Sequence, residues 1–146
     1  MNEALYSREI LRLAVAIPHQ QRLENPDGSA ERRSQACGSR VIADVVLSDA
    51  GTVEDLGLEI NACALGQASA AILGGEAVGK TGAEIIDARN HLADFLTGTV
   101  GNAGTWKQVG LLEAAREHRG RHAAILLPFD AVIGAIEVIS SKHRAA

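Results

Sequence analysis

Residues 40–63, RVIADVVLSDAGTVEDLGLEINAC, decide the fold. Arg40 to Ser48 is rich in Val, Ile and Leu and reads as a strand. Asp49-Ala50-Gly51-Thr52 is turn chemistry. From Val53 to Ala62 the residues alternate, with Leu56, Leu58, Ile60 and Ala62 on one face and Gly57, Glu59 and Asn61 on the other. Two strands joined by a short turn make an antiparallel hairpin. The start of one then lies beside the end of the other. Cys37, just before the first strand, and Cys63, just after the second, are therefore expected at the same end of the sheet.

Upstream, Leu5, Ile10, Leu13, Ala14 and Ile17 fall near a helical stripe that Pro18 terminates, because the residue before a proline is pushed out of the helical region. Residues 18–35 are polar, with an Asn-Pro-Asp-Gly turn at Asn25 to Gly28, and a short edge strand is expected near Arg32 to Ala36. Downstream of Ala64 the periodicity turns helical. Small residues dominate Ala68 to Ala77, which suits close packing on a sheet. A second helix runs from Thr81 to Leu96, with Ile85, Leu92 and Phe95 inward and Asp87, Arg89 and Asp94 outward. Thr81 followed by Glu84 is the capping-box pattern. Gly98 to Gly104 is a loop, and two last helices are expected at Trp106 to Arg116 and His122 to Ser140, with Pro128 predicting a kink or a delayed start. Strands first and helices after give an α+β fold: a small antiparallel sheet of about three strands with helices on one face.

The 146 residues, at 15.3 kDa, are expected to form one domain over 1–146. A hydrophobic fraction of 47% with 22% charged residues is globular rather than disordered. A net charge of −4 argues against a nucleic-acid partner, and 3% aromatics leave no platform for stacking bases. The first residues carry acids and polar interruptions and do not read as a signal peptide. No apolar run reads as a membrane span, so the expected location is cytoplasmic. Two cysteines make no disulfide framework, and in a reducing compartment they are free for other chemistry.

Three segments bear chemistry. Gly74-Gly75-Glu76-Ala77-Val78-Gly79-Lys80-Thr81 fits the phosphate-binding pattern G-x-x-x-x-G-K-[ST] letter for letter. Such a loop should leave a buried strand, whereas Gly66 to Leu73 suits a helix, and the chain lacks the several parallel strands of a nucleotide-binding sheet. The plainer reading is a helix end at Gly74-Gly75 or Gly79 and a capped start at Thr81. A phosphate-loop nucleotide hydrolase therefore ranks third among the functions considered. The second segment is the cysteine pair. Cys63 stands where a strand gives way to a helix N-terminus, whose dipole favours a thiolate, and Gly38 allows close backbone approach beside Cys37. Soft sulfur ligands suit iron and zinc, while the bland alternative is a pair of small buried hydrophobes. The third is Arg121 with His122, a helix-start histidine of interest only through what the cysteines imply.

The residues Cys37-Gly38-Ser39-Arg40-Val41 and Asn61 to Ala70 resemble the first two cysteine motifs of the NifU-like and IscU-like iron–sulfur cluster assembly scaffolds. Gly79-Lys80-Thr81 resembles the Gly-Lys-Thr segment that follows the second cysteine in that family, and Arg121 to Val132 resembles the motif of the third cysteine. The likeness runs in matching order over roughly residues 4–140. It implies the SufE/NifU-like α+β architecture, iron or a labile [2Fe–2S] cluster as cargo, zinc as a weaker possibility, and a cysteine desulfurase and apo iron–sulfur proteins as partners. It also implies two departures. Ser39 stands where the family has aspartate, and Ala124 stands where it has the third cysteine. Only Cys37 and Cys63 carry over as ligands, against the four that a cluster generally takes. A homodimer donating two thiolates from each copy, an outside ligand such as His122 or a partner's cysteine, or a degenerate site on a non-catalytic binding domain would each follow. Catalysis is not required, and sulfur transfer in the manner of the zinc-bound members, which use the missing aspartate and cysteine, is disfavoured.

Overall fold

The computed structural model describes residues 5–145. Helix α1 (Arg8–Ala14) precedes three strands, β1 (Gly28–Arg33), β2 (Arg40–Leu47) and β3 (Val53–Asn61), which form one antiparallel sheet in the order β1-β2-β3. Helices α2 (Ala64–Glu76), α3 (Gly82–Thr97) and α4 (His122–Ala145) follow. The edge strand is the first correction: it occupies Gly28–Arg33, earlier than the expected Arg32 to Ala36. The register explains the shift. Arg33 already faces Arg40 across the ladder, so residues 34–39 are needed for the turn.

Ala43 faces Ala30 on one side and Leu58 on the other, and Val45 faces Leu56. These side chains share one face of the pleat with Val41, and Val41, Ala43, Val45, Leu56 and Leu58 are buried against the helical layer. Helix α4 lies across β1 and β2, α2 packs on α4, and α1 on α2. The segment after Pro18 runs along the free edge of β3, where the Leu58 amide donates to the His19 carbonyl, and onto the opposite face, where Gln21 and Leu23 cover Gly57 and the Leu23 amide donates to Asp44.

Helix α3 opens as the sequence indicates. Thr81 and Glu84 exchange both bonds of a capping box, and Gly98 closes the helix in a left-handed conformation. The expected helix at Trp106 to Arg116 is instead a 3₁₀ stretch over Val109–Glu117. Its buried residues, Val109, Leu112 and Ala115, recur every third position, which matches three residues per turn rather than 3.6. The last helix shows no delayed start, because it begins at His122 and continues through Pro128. It is also long and apolar enough to cross a membrane, which the sequence reading underrated. Its buried residues, Ile125, Phe129, Val132 and Ala135 among them, belong instead to the core of the domain.

Candidate functional site

The β2–β3 ladder sets the geometry. Arg40 pairs with Asn61, so Cys37 lies three residues before that rung and Cys63 two residues after it, at the same end of the sheet. Cys37 sits in the loop from β1 to β2. That loop is closed by the Ser34 amide donating to the Ser39 carbonyl and the Gly38 amide donating to the Ser34 carbonyl, both at 2.9 Å. Gly38 takes φ +72°, a left-handed conformation that suits a residue without Cβ. The turn holds the Cys37 thiol exposed to solvent, while Ser34 and Ser39 are buried beneath it.

Cys63 is the N-cap residue of α2, with extended backbone and no side-chain capping bond. Its sulfur is left free of that duty and is half-buried. Gly66, one turn into the helix, lets Ala124 at the start of α4 approach. A Cβ at Gly66 would lie 2.8 Å from Ala62 Cβ and 3.3 Å from the Ala124 carbonyl oxygen. Pro128 removes the amide that would have bonded the Ala124 carbonyl, and the next carbonyl, that of Ile125, accepts the buried Ser69 hydroxyl of α2. The starts of α2 and α4 are thereby fastened together. Ala124, which the sequence resemblance sets against a third cysteine, is buried at this junction with 1% exposure.

Cys37 is the cysteine with a perturbed thiol. The hydroxyls of Ser34 and then Ser39, joined by the Ser39 amide, hold its pKa below the ordinary value, and Arg121 adds a smaller attraction for the thiolate. The Ser39 hydroxyl is 3.0 Å from the sulfur. The Ser34 hydroxyl is close enough to act on the thiol, yet it forms no hydrogen bond of good geometry with any described group. The sequence reading treated Ser39 as a lost aspartate and at most an auxiliary to the cysteines, and passed over Ser34. The signal was two serines flanking the cysteine, three residues before and two after.

Beyond these sulfurs the site is sparse. Among the described residues no three His, Cys, Asp or Glu side chains gather as a metal would need. His122, considered as an outside ligand, uses Nε2 at 2.9 Å from the Ala115 carbonyl. It lines a groove with Leu96, Thr97, Arg116, Glu117 and Arg119. The phosphate-loop pattern folds as the plainer reading expects, as a helix end followed by a capped start at Thr81. It begins in the last turn of helix α2 instead of after a strand, the amides of Gly79 and Lys80 donate to the Val53 and Ala77 carbonyls, and the Thr81 amide donates to Glu84. Those donors are spent on closing the turn, and Lys80 lies over the Trp106 ring.

One polar cluster was missed altogether. Asp44, in the middle of β2, is fully buried and accepts from Arg22 Nε at 2.7 Å, Arg22 Nη2 at 3.1 Å, the Leu23 amide at 2.9 Å and the Ser29 hydroxyl. Burial pushes its carboxyl up, but these donors outweigh burial and hold it below the ordinary carboxylate value.

Among solved structures, the chain is similar to the N-terminal NifU-like protein of Brucella abortus, described as nitrogen-fixing. The TM-score is 0.90 at 34% identity, covering 96% of this chain and 97% of that one. It also shares its fold with a protein of thermophilic Fervidobacterium islandicum described as an iron–sulfur cluster assembly scaffold for the SUF system. There the TM-score is 0.84 at 20% identity, covering 93% and 99% of the two chains. No protein-family profile and no curated protein sequence matches the chain.

Proposed function

The chain belongs to the NifU-like N-terminal family, and we propose that it serves as an iron–sulfur cluster assembly scaffold, a carrier rather than a catalyst, over a single domain of residues 1–146. Its cargo is iron or a labile [2Fe–2S] cluster held by Cys37 and Cys63. Zinc is a weaker occupant, since aspartate and the third cysteine are absent. The observation that supports this most is the β2–β3 register, which leaves two free thiols flanking one rung of the sheet.

Two thiolates fill half of a four-ligand site. The remaining donors come from outside the chain, and a second copy supplies the matching pair. Such a bridged cluster is released by ligand exchange when an acceptor's thiolates replace those of the scaffold. A cysteine desulfurase delivers the sulfur, apo iron–sulfur proteins accept the product, and the work is placed in the cytoplasm. The expected membrane and nucleic-acid partners are none.

Anaerobic reconstitution with ferrous iron and sulfide tests the reading. Visible absorption at about two irons per dimer is the expected result. A Cys37→Ala, Cys63→Ala double variant that still holds a full cluster overturns it. Complete failure of the wild type to take up iron favours the second reading, a binding module with a degenerate site, for which the buried Ala124 in place of a third sulfur already speaks.

A further inference from the structure

The end of α2 remote from Cys63 opens on a cavity that the scaffold reading does not use. Helix α2 runs for 13 residues to Glu76, which at 1.5 Å per residue sets this end about 20 Å from Cys63. The cavity, of about 570 Å³, is lined by Glu76 and Lys80, by Asp87 and His91 of α3, and by the loop from Asn102 to Trp106. That volume is in the range of small-molecule sites. Its walls are fixed by the fold. His91 Nε2 stands 2.9 Å from the Asn102 carbonyl oxygen, and the Asn102 side chain accepts the Gly104 amide at 3.1 Å. Gly104, at φ +83°, lies so close to the His91 ring that a Cβ there would meet it at 2.8 Å. Phe129 backs Trp106, with ring centroids 5.6 Å apart.

Trp106 is more than nine-tenths buried, at 7% exposure. Its indole N–H has no hydrogen-bond partner among the described residues, yet it is not sealed from solvent, because Ser34 Oγ is the one sealed side-chain atom there left unpaired. The little exposure that Trp106 keeps therefore includes this donor, and it opens on the cavity that the residue lines. Lys80 Nζ lies 5.7 Å from the Trp106 ring centroid and pairs with no carboxylate among the described residues. Asp87 likewise has no ion pair there. Glu76 commits one oxygen to the Lys107 amide at 2.7 Å, and Glu84 is spent on Thr81. Two donors and a carboxylate thus face one cavity without partners of their own.

The chemistry of the lining narrows the occupant. A simple anion is repelled by the carboxylates of Glu76, Glu84 and Asp87, all of which line the cavity. A simple cation leaves the indole N–H without an acceptor. A molecule with a carboxylate at one end and a cation at the other satisfies both. Asp87 lies about 8 Å along the α3 axis from Gly82, the first residue of that helix, a span that glycine cannot bridge and an extended arginine or lysine can. We propose that this cavity binds a free basic α-amino acid. Lys80 and the Trp106 indole N–H take its carboxylate, Glu76 takes its α-ammonium, and Asp87 takes its side-chain cation, while the aliphatic chain lies on the Trp106 ring. The site is independent of the sulfurs and of any cluster they hold.

Trp106 is the chain's one tryptophan, so its fluorescence reports on the cavity directly. The test titrates the full chain, without added iron, with L-arginine, following fluorescence and calorimetry together. A saturable change in both is expected. Agmatine, which lacks the carboxylate, and citrulline, which lacks the side-chain charge, should each bind about tenfold more weakly, the worth of one charge-assisted bond. L-glutamate should not bind. Asp87→Asn and Lys80→Met, each checked for native circular dichroism, should weaken arginine by a similar factor, and Asp87→Asn should no longer distinguish arginine from citrulline. N-acetyl-L-arginine, which mimics the last residue of a basic peptide, should bind more weakly than arginine; binding as tight or tighter overturns the free amino acid in favour of a peptide C-terminus. Agmatine bound as well as arginine, or arginine affinity unchanged in both variants, overturns the site as drawn. So does the absence of any saturable signal with arginine, and iron uptake by Cys37 and Cys63 is unaffected by any of these results.

Discussion

Asp44 lies in the middle of β2 and Cys37 three residues before its start, and the domain treats the two polar groups in opposite ways. Asp44 is sealed, with no exposure and donors from a guanidinium, an amide and a hydroxyl converging on its two oxygens. Cys37 is open: its sulfur faces solvent, and one of the hydroxyls beneath it is unpaired. A closed cluster of this kind holds a fold together, because every member is satisfied only when all are in place. An open one retains capacity for something that arrives later. Loss of function without loss of stability should therefore concentrate at Cys37, and the reverse at Asp44.

The largest effect expected is at the sulfurs. Cys37→Ala should reduce bound iron after reconstitution to the background of a non-binding protein. It should leave the unfolding free energy within about 0.5 kcal/mol, as for exposed positions generally. Metal analysis and urea denaturation of the same preparation check both halves. Iron retained at the wild-type level would break the contrast at its open end.

Asp44→Ala comes next. Removing one partner of a buried, hydrogen-bonded pair strands the others, and with Arg22 still reaching solvent the cost should be about 3 kcal/mol. Iron uptake by the folded fraction should be unchanged. The pH dependence has a fixed sign. A carboxyl held below its ordinary value in the folded state contributes stability that is fully present above the unfolded pKa and lost as pH falls through the folded one. Wild type should thus lose melting temperature on acidification below about pH 4 more steeply than Asp44→Asn. Parallel acid profiles would mean that Asp44 is not the closed cluster described.

The hairpin, the capping box at Thr81 and the common end of the two cysteines were legible in the sequence because each rests on local rules: alternation, a three-residue spacing, antiparallel return. Asp44 was not, since nothing within a strand of Val and Ile announces that Arg22 and Ser29, distant in sequence, will converge on it. The junction of Gly66 with Ala124 was hidden for the same reason, being a contact between two helix starts 58 positions apart. The stretch at Val109–Glu117 was misread for a different reason. Its apolar residues fit either helical period over so short a run, and only packing decides between them.

Ala124→Cys sharpens the comparison by adding a donor to the open end. The site is buried against Gly66, so the extra sulfur should cost up to about 1 kcal/mol of stability through crowding. Zinc binding should nevertheless tighten on the order of tenfold, because a third thiolate brings the chain within one ligand of a tetrahedral set. Competition against a chromogenic chelator measures it. Unchanged zinc affinity in a folded variant would mean that position 124 does not face the two native sulfurs, and the open cluster would be Cys37 alone.

The smallest effect belongs to the turn that mimics a phosphate loop, which is a second closed cluster. Thr81 Oγ1 accepts the Glu84 amide at 3.2 Å, and Glu84 returns a carboxylate oxygen to the Thr81 amide at 3.0 Å. Through that pairing the Glu84 carboxyl is held below its ordinary value. Thr81→Ala removes one bond of the reciprocal pair and should cost about 1 kcal/mol, the usual worth of an N-cap. Loading with iron should be untouched, and calorimetry with ATP and magnesium should register no heat of binding for either protein. The logic is that of Asp44 at lower stakes, since the groups here reach water and solvent replaces what the mutation removes. Nucleotide heat that disappears with Thr81 would instead put an open site at the end of α2 remote from Cys63, and the division between sealed and receptive clusters would have to be redrawn there.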